Sequence, residues 1–297
     1  MNSQSLTMWT TWRELPGPQR VRIGGYLIYI LLAAVFFIQP LAGLMRHAGQ
    51  FELHSHIPLV PVIAGYLLYT RRGPRPTAYR TSIGGTVLLG AIGVAALIAA
   101  FWWRGSLSVN DYLACMTLSF VNLVAAGGFL FLGARWMASV AFPFSFLIFM
   151  IPMPDGMTNR LEVASMLASA DVSAAFFRMT GTPMLRDGNV FALPGIVIQV
   201  AQECSGIRSS WVLFITSLVA SHLLLRSSWR RVALVAFVIP LGIVRNAFRI
   251  LVIGLLCVHI GPEMADSAIH HQGGPLFFVL SLGPLFLLLW WLRRGEP

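Results

Sequence analysis

The sequence predicts an all-α integral membrane protein that crosses the bilayer about eight times. The chain of 297 residues is 57% hydrophobic and only 11% charged, whereas a soluble domain carries about 25% charged residues. Its mean hydropathy is +0.74. The net charge of +10 is the excess of 21 basic residues over 11 acidic ones, and the basic residues are all arginines that are scattered between long apolar runs. This composition excludes an ordinary soluble enzyme, a disordered chain and a nucleic-acid-binding module.

Eight apolar runs are candidates for membrane-spanning helices, which need about 20 apolar residues each. They lie near 24–44, 57–70, 83–103, 112–134, 137–153, 206–225, 232–257 and 274–292. The second and fifth runs are short and contain or adjoin Pro58, Pro61 and Pro143, so their ends are the least defined. We expect one integral membrane domain over residues 1–297.

The distribution of arginine predicts that both chain termini lie in the cytoplasm, because cytoplasmic loops carry the excess of arginine. With this orientation, thirteen arginines lie inside and five lie outside. The inside set is Arg13, Arg20, Arg22, Arg71, Arg72, Arg75, Arg80, Arg135, Arg226, Arg230, Arg231, Arg293 and Arg294. The outside set is Arg46, Arg104, Arg160, Arg178 and Arg186.

The outer segment 154–205 is unusually long for a membrane-protein loop. Residues 158–180 mix apolar and charged side chains with helical spacing, which indicates an amphipathic helix in or near the membrane interface. Residues 181–188 are rich in turn formers. Two β-prone runs, 189–193 and 196–200, flank Pro194-Gly195 and predict a short hairpin or an irregular crossing. Long ordered loops are more often functional than idle.

The first group of residues with chemical potential lies around Cys204, where the outer segment meets the sixth span. Glu203, Ser205, Gly206 and Arg208 flank this cysteine. A helix N-terminus lowers the pKa of a thiol and offers backbone N–H groups to an oxyanion. Arg208 follows at the i+4 position, which on a helix is the same face. The other two cysteines, Cys115 and Cys257, lie within apolar helices and are interpreted as small buried hydrophobic residues.

The second group lies in the seventh span, where Arg245, Asn246 and Arg249 follow one another closely. Arg249 stands seventeen residues after Val232, roughly 25 Å along a helix, so we expect it in the outer half of the membrane. An arginine at such a depth marks a site with a partner, either a structural acid or a functional group. The i, i+4 spacing lets Arg245 and Arg249 point into one cavity, and Asn246 has a supporting role.

The third group is the histidine pair His270 and His271, which precedes the last span on the outer side. Histidine can take a proton from a thiol and return it to a leaving amine. A pair of solvated loop histidines is the alternative interpretation. The adjacent positions of these histidines do not fit the spacing of a zinc site, and neither a metal nor a cofactor is predicted.

A thiol, a guanidinium and an imidazole at one membrane depth indicate nucleophilic acyl chemistry. Two other functions stay open at this point. One is a transporter that uses Arg208, Arg245 and Arg249 as an anion path, although the sequence has no internal repeat of the kind common in transporters. The other is a non-catalytic scaffold of a polysaccharide or secretion system.

The order and spacing of these motifs resemble those of the exosortase/archaeosortase family of membrane enzymes, over roughly residues 20–292. The residues that carry the resemblance are Phe149-Met-Ile-Pro-Met-Pro154, Gly181-Thr-Pro183, Phe191-Ala-Leu-Pro194, Val200-Ala-Gln-Glu-Cys-Ser-Gly-Ile-Arg-Ser209, Asn246-x-x-Arg249-Ile250 and His270-x-x-x-Gly274 with Phe277. Histidine in the last motif is similar to the bacterial exosortase branch.

The resemblance implies a cysteine transpeptidase-like sorting enzyme of the bacterial inner membrane, with its active site at the periplasmic face. It assigns Cys204 as the nucleophile, Arg249 as the family arginine and His270 as the family histidine, with His271 as the alternative. The implied partners are exported proteins that end in a Pro-Glu-Pro-like motif, a spanning helix and a basic tail. The implied acyl acceptor is an amine or water. The lipid bilayer is the surrounding partner, and no nucleic acid is implied.

Overall fold

The computed structural model describes residues 16–70, 79–202, 205–266 and 274–295, and these are mainly helical. The predicted all-α class of a polytopic membrane protein is confirmed. The described helices are α1 (Gly17–Phe36), α2 (Ile38–Gln50), α3 (Leu59–Tyr69), α4 (Ile83–Trp102), α5 (Val109–Phe131), α6 (Ala134–Ser139), α7 (Ala141–Phe146), α8 (Asp155–Met179), α9 (Ile207–Leu224), α10 (Ser228–His259) and α11 (Gly274–Arg294). Short 3-10 helices cover Glu52–His54, Leu147–Met150 and Pro262–Asp266.

Within the described ranges, six helices are long and apolar enough to cross a membrane. They are α1, α4, α5, α9, α10 and α11. The predicted spans 57–70 and 137–153 correspond to shorter apolar helices, Leu59–Tyr69 and Ala141–Met150. The predicted count of eight is therefore not confirmed, and the two shorter helices coincide with the proline-containing runs.

The first apolar run is not one helix, as the prediction of a single span over 24–44 had assumed. It forms α1 and α2, which are separated at Phe37. Pro40 explains the break, because proline has no N–H group and its ring collides with the carbonyl group four residues earlier, here that of Phe36. The ring of Phe37 is only 1% exposed and packs near Phe120.

The chain folds into two compact units, Met1–Asp155 and Gly156–Pro297. In the first unit, α4 and α5 pack closely because small residues face bulky ones. A Cβ atom on Gly85 would lie 2.5 Å from the ring of Phe129. The Tyr26 hydroxyl donates a hydrogen bond to the Val124 carbonyl over 3.0 Å, which ties α1 to α5. The prediction of a single domain stays a prediction.

The second unit contains a small antiparallel sheet in the order β1 (Leu185–Asp187), β2 (Val190–Leu193) and β3 (Ile196–Gln199). The predicted hairpin is the pair β2–β3, in which Leu193 pairs with Ile196 across the Pro194-Gly195 turn. Gly195 has φ +80°, which suits the third position of a type II turn after proline. Strand β1 was not predicted, since its residues lie in the run 181–188 that had been interpreted as turns.

Helix α8 corresponds to the predicted amphipathic helix over 158–180, and the structure shows what its apolar face contacts. Ala170, Ala174 and Phe177 are buried in one cluster with β2 and α10. Ser173 Oγ also donates to the Ala247 carbonyl of α10 over 3.3 Å. A Cβ atom on Gly254 would lie 2.6 Å from the Phe177 ring, so this glycine allows close packing. One face of α8 is therefore a packing surface for α10 and the sheet.

Candidate active site

Helix α10 carries a group of polar side chains about midway along its length. Arg245 and Asn246 are 8% and 2% exposed, respectively. Arg245 Nη2 donates hydrogen bonds to the Gly206 carbonyl and to Ser210 Oγ, each over 3.0 Å. Both acceptors are uncharged oxygens at the beginning of α9. Arg245 therefore binds the turn that immediately follows the Glu203-Cys204-Ser205 segment.

Gly206 is the residue that lets this turn approach α10. Its φ of +73° lies in the left-handed region, which glycine adopts without a steric penalty. A Cβ atom at this position would lie 3.2 Å from Asn246 Cγ and 3.3 Å from Arg245 Nη2. The Gly206 carbonyl also accepts from the Ser210 backbone N–H over 3.1 Å. The sequence thus places a residue without a side chain where two buried polar groups meet the backbone.

The same segment is anchored to α8 by hydrogen bonds on both sides of positions 203 and 204. Before them, Gln202 Nε2 donates to Asn159 Oδ1 over 2.6 Å and to Glu162 Oε2 over 3.0 Å. After them, the carbonyl of Ser205, a residue that is 2% exposed, accepts from Ser165 Oγ over 2.9 Å. The chain is therefore held to α8 at residues 202 and 205 and to α10 at residue 206.

A pocket of about 370 Å³, including the space at its mouth, lies between the end of β3 and α10. Ile198, Gln199, Val200 and Ala201 line it on the sheet side, and Asn246, Arg249, Ile250 and Ile253 line it on the helix side. Arg249 is half-buried. Within the described part of the chain, Asn246 Nδ2 is buried and has no hydrogen-bond acceptor. The lining is therefore largely apolar, and its polar residues are Gln199 on the sheet side and Asn246 and Arg249 on the helix side.

Helix α11 begins beside the turn of α10 that carries Arg249. The Phe277 and Phe248 rings meet edge to face with centroids 6.2 Å apart, and Phe277 is 5% exposed. Phe248 directly precedes Arg249, and Phe277 follows His271 by six positions. This aromatic pair holds the first turn of α11 beside α10.

The structure brings together five of the ten residues that the sequence had singled out: Arg245, Asn246, Arg249, Ser205 and Gly206. Arg208 is exposed in the first turn of α9. Because α9 begins at Ile207 and Gly206 is left-handed, helical spacing cannot place Arg208 relative to position 204. The predicted site residues Glu203, Cys204, His270 and His271 lie outside the described residues.

Sequence reasoning missed the anchoring side chains Asn159, Glu162 and Ser165 on α8 and Ser210 on α9. The first three stand at intervals of three residues, a helical spacing that puts them on one face of α8. A search for polar side chains at that interval would have found them. Ser210 had no such signal, because its partner Arg245 is thirty-five positions away.

Comparison with models of known protein families identifies the family of this chain. A family model described as transmembrane exosortase matches residues 48–287. The chain therefore belongs to the transmembrane exosortase family, and the resemblance seen in its motifs is confirmed at that level. Searches of curated proteins and of solved structures return no match. The assignment to the bacterial branch stays a prediction.

Proposed function

We propose that this member of the transmembrane exosortase family is a cysteine transpeptidase that cleaves the C-terminal sorting signal of exported proteins. Cys204 attacks the scissile carbonyl and forms a thioester. His270 takes the thiol proton and returns it to the leaving amine. An amine or water then attacks the thioester and restores the thiol. Cleavage takes place at the periplasmic face of the inner membrane.

The observation that supports this proposal is the anchoring of the chain on either side of Cys204. Ser205 and Gln202 are held by α8, and Gly206 is held by Arg245. A nucleophile needs such fixed neighbours, because rate falls steeply when a reacting group is displaced by about 1 Å. A structural cysteine in a loop needs no comparable support.

Arg249 has the role of a cation beside the reacting carbonyl. Arg249 lines the pocket together with Val200 and Ala201, which precede Cys204 by four and three positions in the chain. Positive charge at this place stabilises an oxyanion or a carboxylate of the substrate. Arg245 is a positioning residue, since its hydrogen bonds go to the protein's own backbone and to Ser210.

The test is the processing of a co-expressed exported protein. This substrate ends in a Pro-Glu-Pro-like motif, a spanning helix and a basic tail, with a tag after the tail. Cys204→Ala should abolish release of the tag, and Cys204→Ser should reduce it to near background. Cys115→Ala is the matched control, because Cys115 is a half-buried thiol of α5 in the first unit, and it should process normally. Wild-type processing by Cys204→Ala would refute the proposal.

A further inference from the structure

The outer edge of β3 carries backbone groups that point away from the rest of the sheet. The Val200 N–H donates to the Asn189 carbonyl over 2.9 Å, and the register pairs Phe191 with Ile198. Hydrogen-bonded pairs alternate along an antiparallel ladder. The N–H and C=O groups of Ile198 therefore face β2, whereas those of Val197 and Gln199 face outward. Among the described strands, β3 has no neighbour on that side.

The pocket adjoins the end of this edge, and one of its lining residues has a buried donor that has no internal acceptor among the described residues. Asn246 is 2% exposed and lines the pocket, and the donor is its Nδ2 atom. A buried donor without an acceptor is costly and calls for an explanation. Arg249 lines the same pocket. An amide donor and a cation together suit a carboxylate.

We propose that an extended acidic peptide binds here as a fourth strand, pairing with the backbone of Val197 and Gln199 and placing a carboxylate between Asn246 and Arg249. Strand addition to an exposed edge draws affinity from main-chain hydrogen bonds and specificity from a side-chain pocket. The edge and the pocket adjoin at Gln199. Asn246 is thereby assigned as a substrate-binding residue.

This inference rests on the proposed function, because the peptide is the part of the exported substrate that adjoins the scissile bond. A strand along β3 leads toward Val200 and Ala201, and the chain continues from there to Cys204. Binding in this way would hold the substrate backbone straight beside the nucleophile. It would also exclude a peptide that is helical at the site.

The first experiment keeps the protein constant and changes the peptide. Full-length Cys204→Ala protein in nanodiscs binds a fluorescent ten-residue peptide that contains one Pro-Glu-Pro motif, and each non-proline residue is N-methylated in turn. Strand addition predicts that binding weakens at least about ten-fold at every second position and hardly at the positions between. An effect without this alternation would overturn the inference. Replacement of the peptide's Glu by Gln should also weaken binding at least about five-fold.

The second experiment keeps the peptide constant and introduces substitutions in the edge strand β3 and in the pocket. Val197→Pro removes the outward N–H but leaves the β2–β3 ladder intact, since proline is tolerated at edges. It should weaken binding at least about ten-fold, while Val197→Thr, which keeps the N–H, should bind as the parent does. Asn246→Asp places a carboxylate beside the ligand's carboxylate and should weaken binding to a similar extent. Equal binding by all three variants would contradict the inference.

The two proposals fail separately. If wild-type protein cleaves its substrate but the N-methyl scan shows no alternation, strand addition is wrong and the transpeptidase function stands. If binding alternates but wild-type protein never releases the tag, the strand site stands and the enzymatic function is wrong. The scan also decides the question if Val197→Pro does not fold.

Discussion

Two buried polar clusters, one in each compact unit, differ in how their hydrogen-bonding groups are used. In the first unit, Asn110 accepts from His47 Nε2 over 3.1 Å and donates to the Met153 carbonyl and to Asp155 Oδ1. In the second unit, Arg245 holds the backbone near Cys204, while Asn246 Nδ2 lacks an acceptor among the described residues. An asparagine that is satisfied is structural, whereas one that faces a pocket unsatisfied is available to a ligand.

The largest expected effect tests the functional side of this comparison. Arg249→Ala should lower processing of the tagged substrate by about 100-fold or more, the usual effect of removing a donor from an oxyanion site. Arg186→Ala is the matched control, because Arg186 is a partly buried arginine of the same unit that pairs with Asp171 over 2.7 Å and is not among the residues that line the pocket. Its processing should stay within about two-fold of wild type. Equal losses in both variants would remove Arg249 from the mechanism.

Replacement by alanine should mainly affect stability at Asn110 and mainly affect processing at Asn246. Asn110→Ala removes three hydrogen bonds and should lower the free energy of unfolding by about 2–4 kcal/mol. Asn246→Ala removes an amide nitrogen that has no acceptor among the described residues, so it should cost less than about 1 kcal/mol and still impair processing. Denaturant unfolding in mild detergent measures the first effect, and tag release measures the second. If Asn246→Ala were the more destabilising of the two, the comparison would be wrong.

Much of this architecture was predictable from the sequence, because hydropathy dictates which segments can enter a membrane. The runs 83–103, 206–225 and 274–292 correspond closely to α4, α9 and α11. The break at Phe37 was missed although Pro40 was visible, since a hydropathy average ignores the missing N–H. Strand β1 was missed because three residues between glycines carry too little pattern to distinguish a strand from a turn.

The candidate site was predictable in its residue types but not in its contacts. The cost of placing Arg245 and Arg249 in an apolar helix marked them as functional or paired. The acceptors of Arg245 are a backbone carbonyl and a serine, which sequence cannot single out. The unsatisfied donor of Asn246 and the adjoining edge of β3 depend on how α8, α10 and the sheet pack together, and that information is not local.

The histidine cluster of the first unit predicts a pH-dependent stability. Burial lowers the pKa of His54 from 6.5 to about 4, helped by His47 and His56 and opposed by Asp155. The folded state therefore binds fewer protons than the unfolded state between these values. Stability is complete above pH 6.5 and is lost as the pH falls toward 4, by roughly 2 kcal/mol at pH 5.

Replacement of His54 tests this pH dependence of stability directly. Both ring nitrogens of His54 lack hydrogen-bond partners among the described residues, so His54→Leu should unfold like wild type at pH 7.5 and be more stable by roughly 2 kcal/mol at pH 5. His56→Leu is the comparison variant, because His56 Nδ1 bonds to the Leu53 carbonyl over 3.1 Å and its loss should cost stability at pH 7.5. Burial also lowers the pKa of His56, so this variant should in addition lose part of the acid sensitivity. A variant His54→Leu with unchanged pH dependence would assign the effect to another group.

Gly206 connects the fold with the candidate site, because its conformation sets how closely the backbone approaches Asn246 and Arg245. Gly206→Ala forces a side chain into φ +73° and within 3.2 Å of Asn246, which should cost about 1–2 kcal/mol. Gly156→Ala is matched, since nothing lies within 4 Å of its Cβ position in α8, and alanine there should be neutral or slightly stabilising. Processing should fall much further in Gly206→Ala than its stability does, because the displaced residue is two positions from Cys204. A loss of processing no greater than the loss of folded protein would mean that the turn supports only the fold.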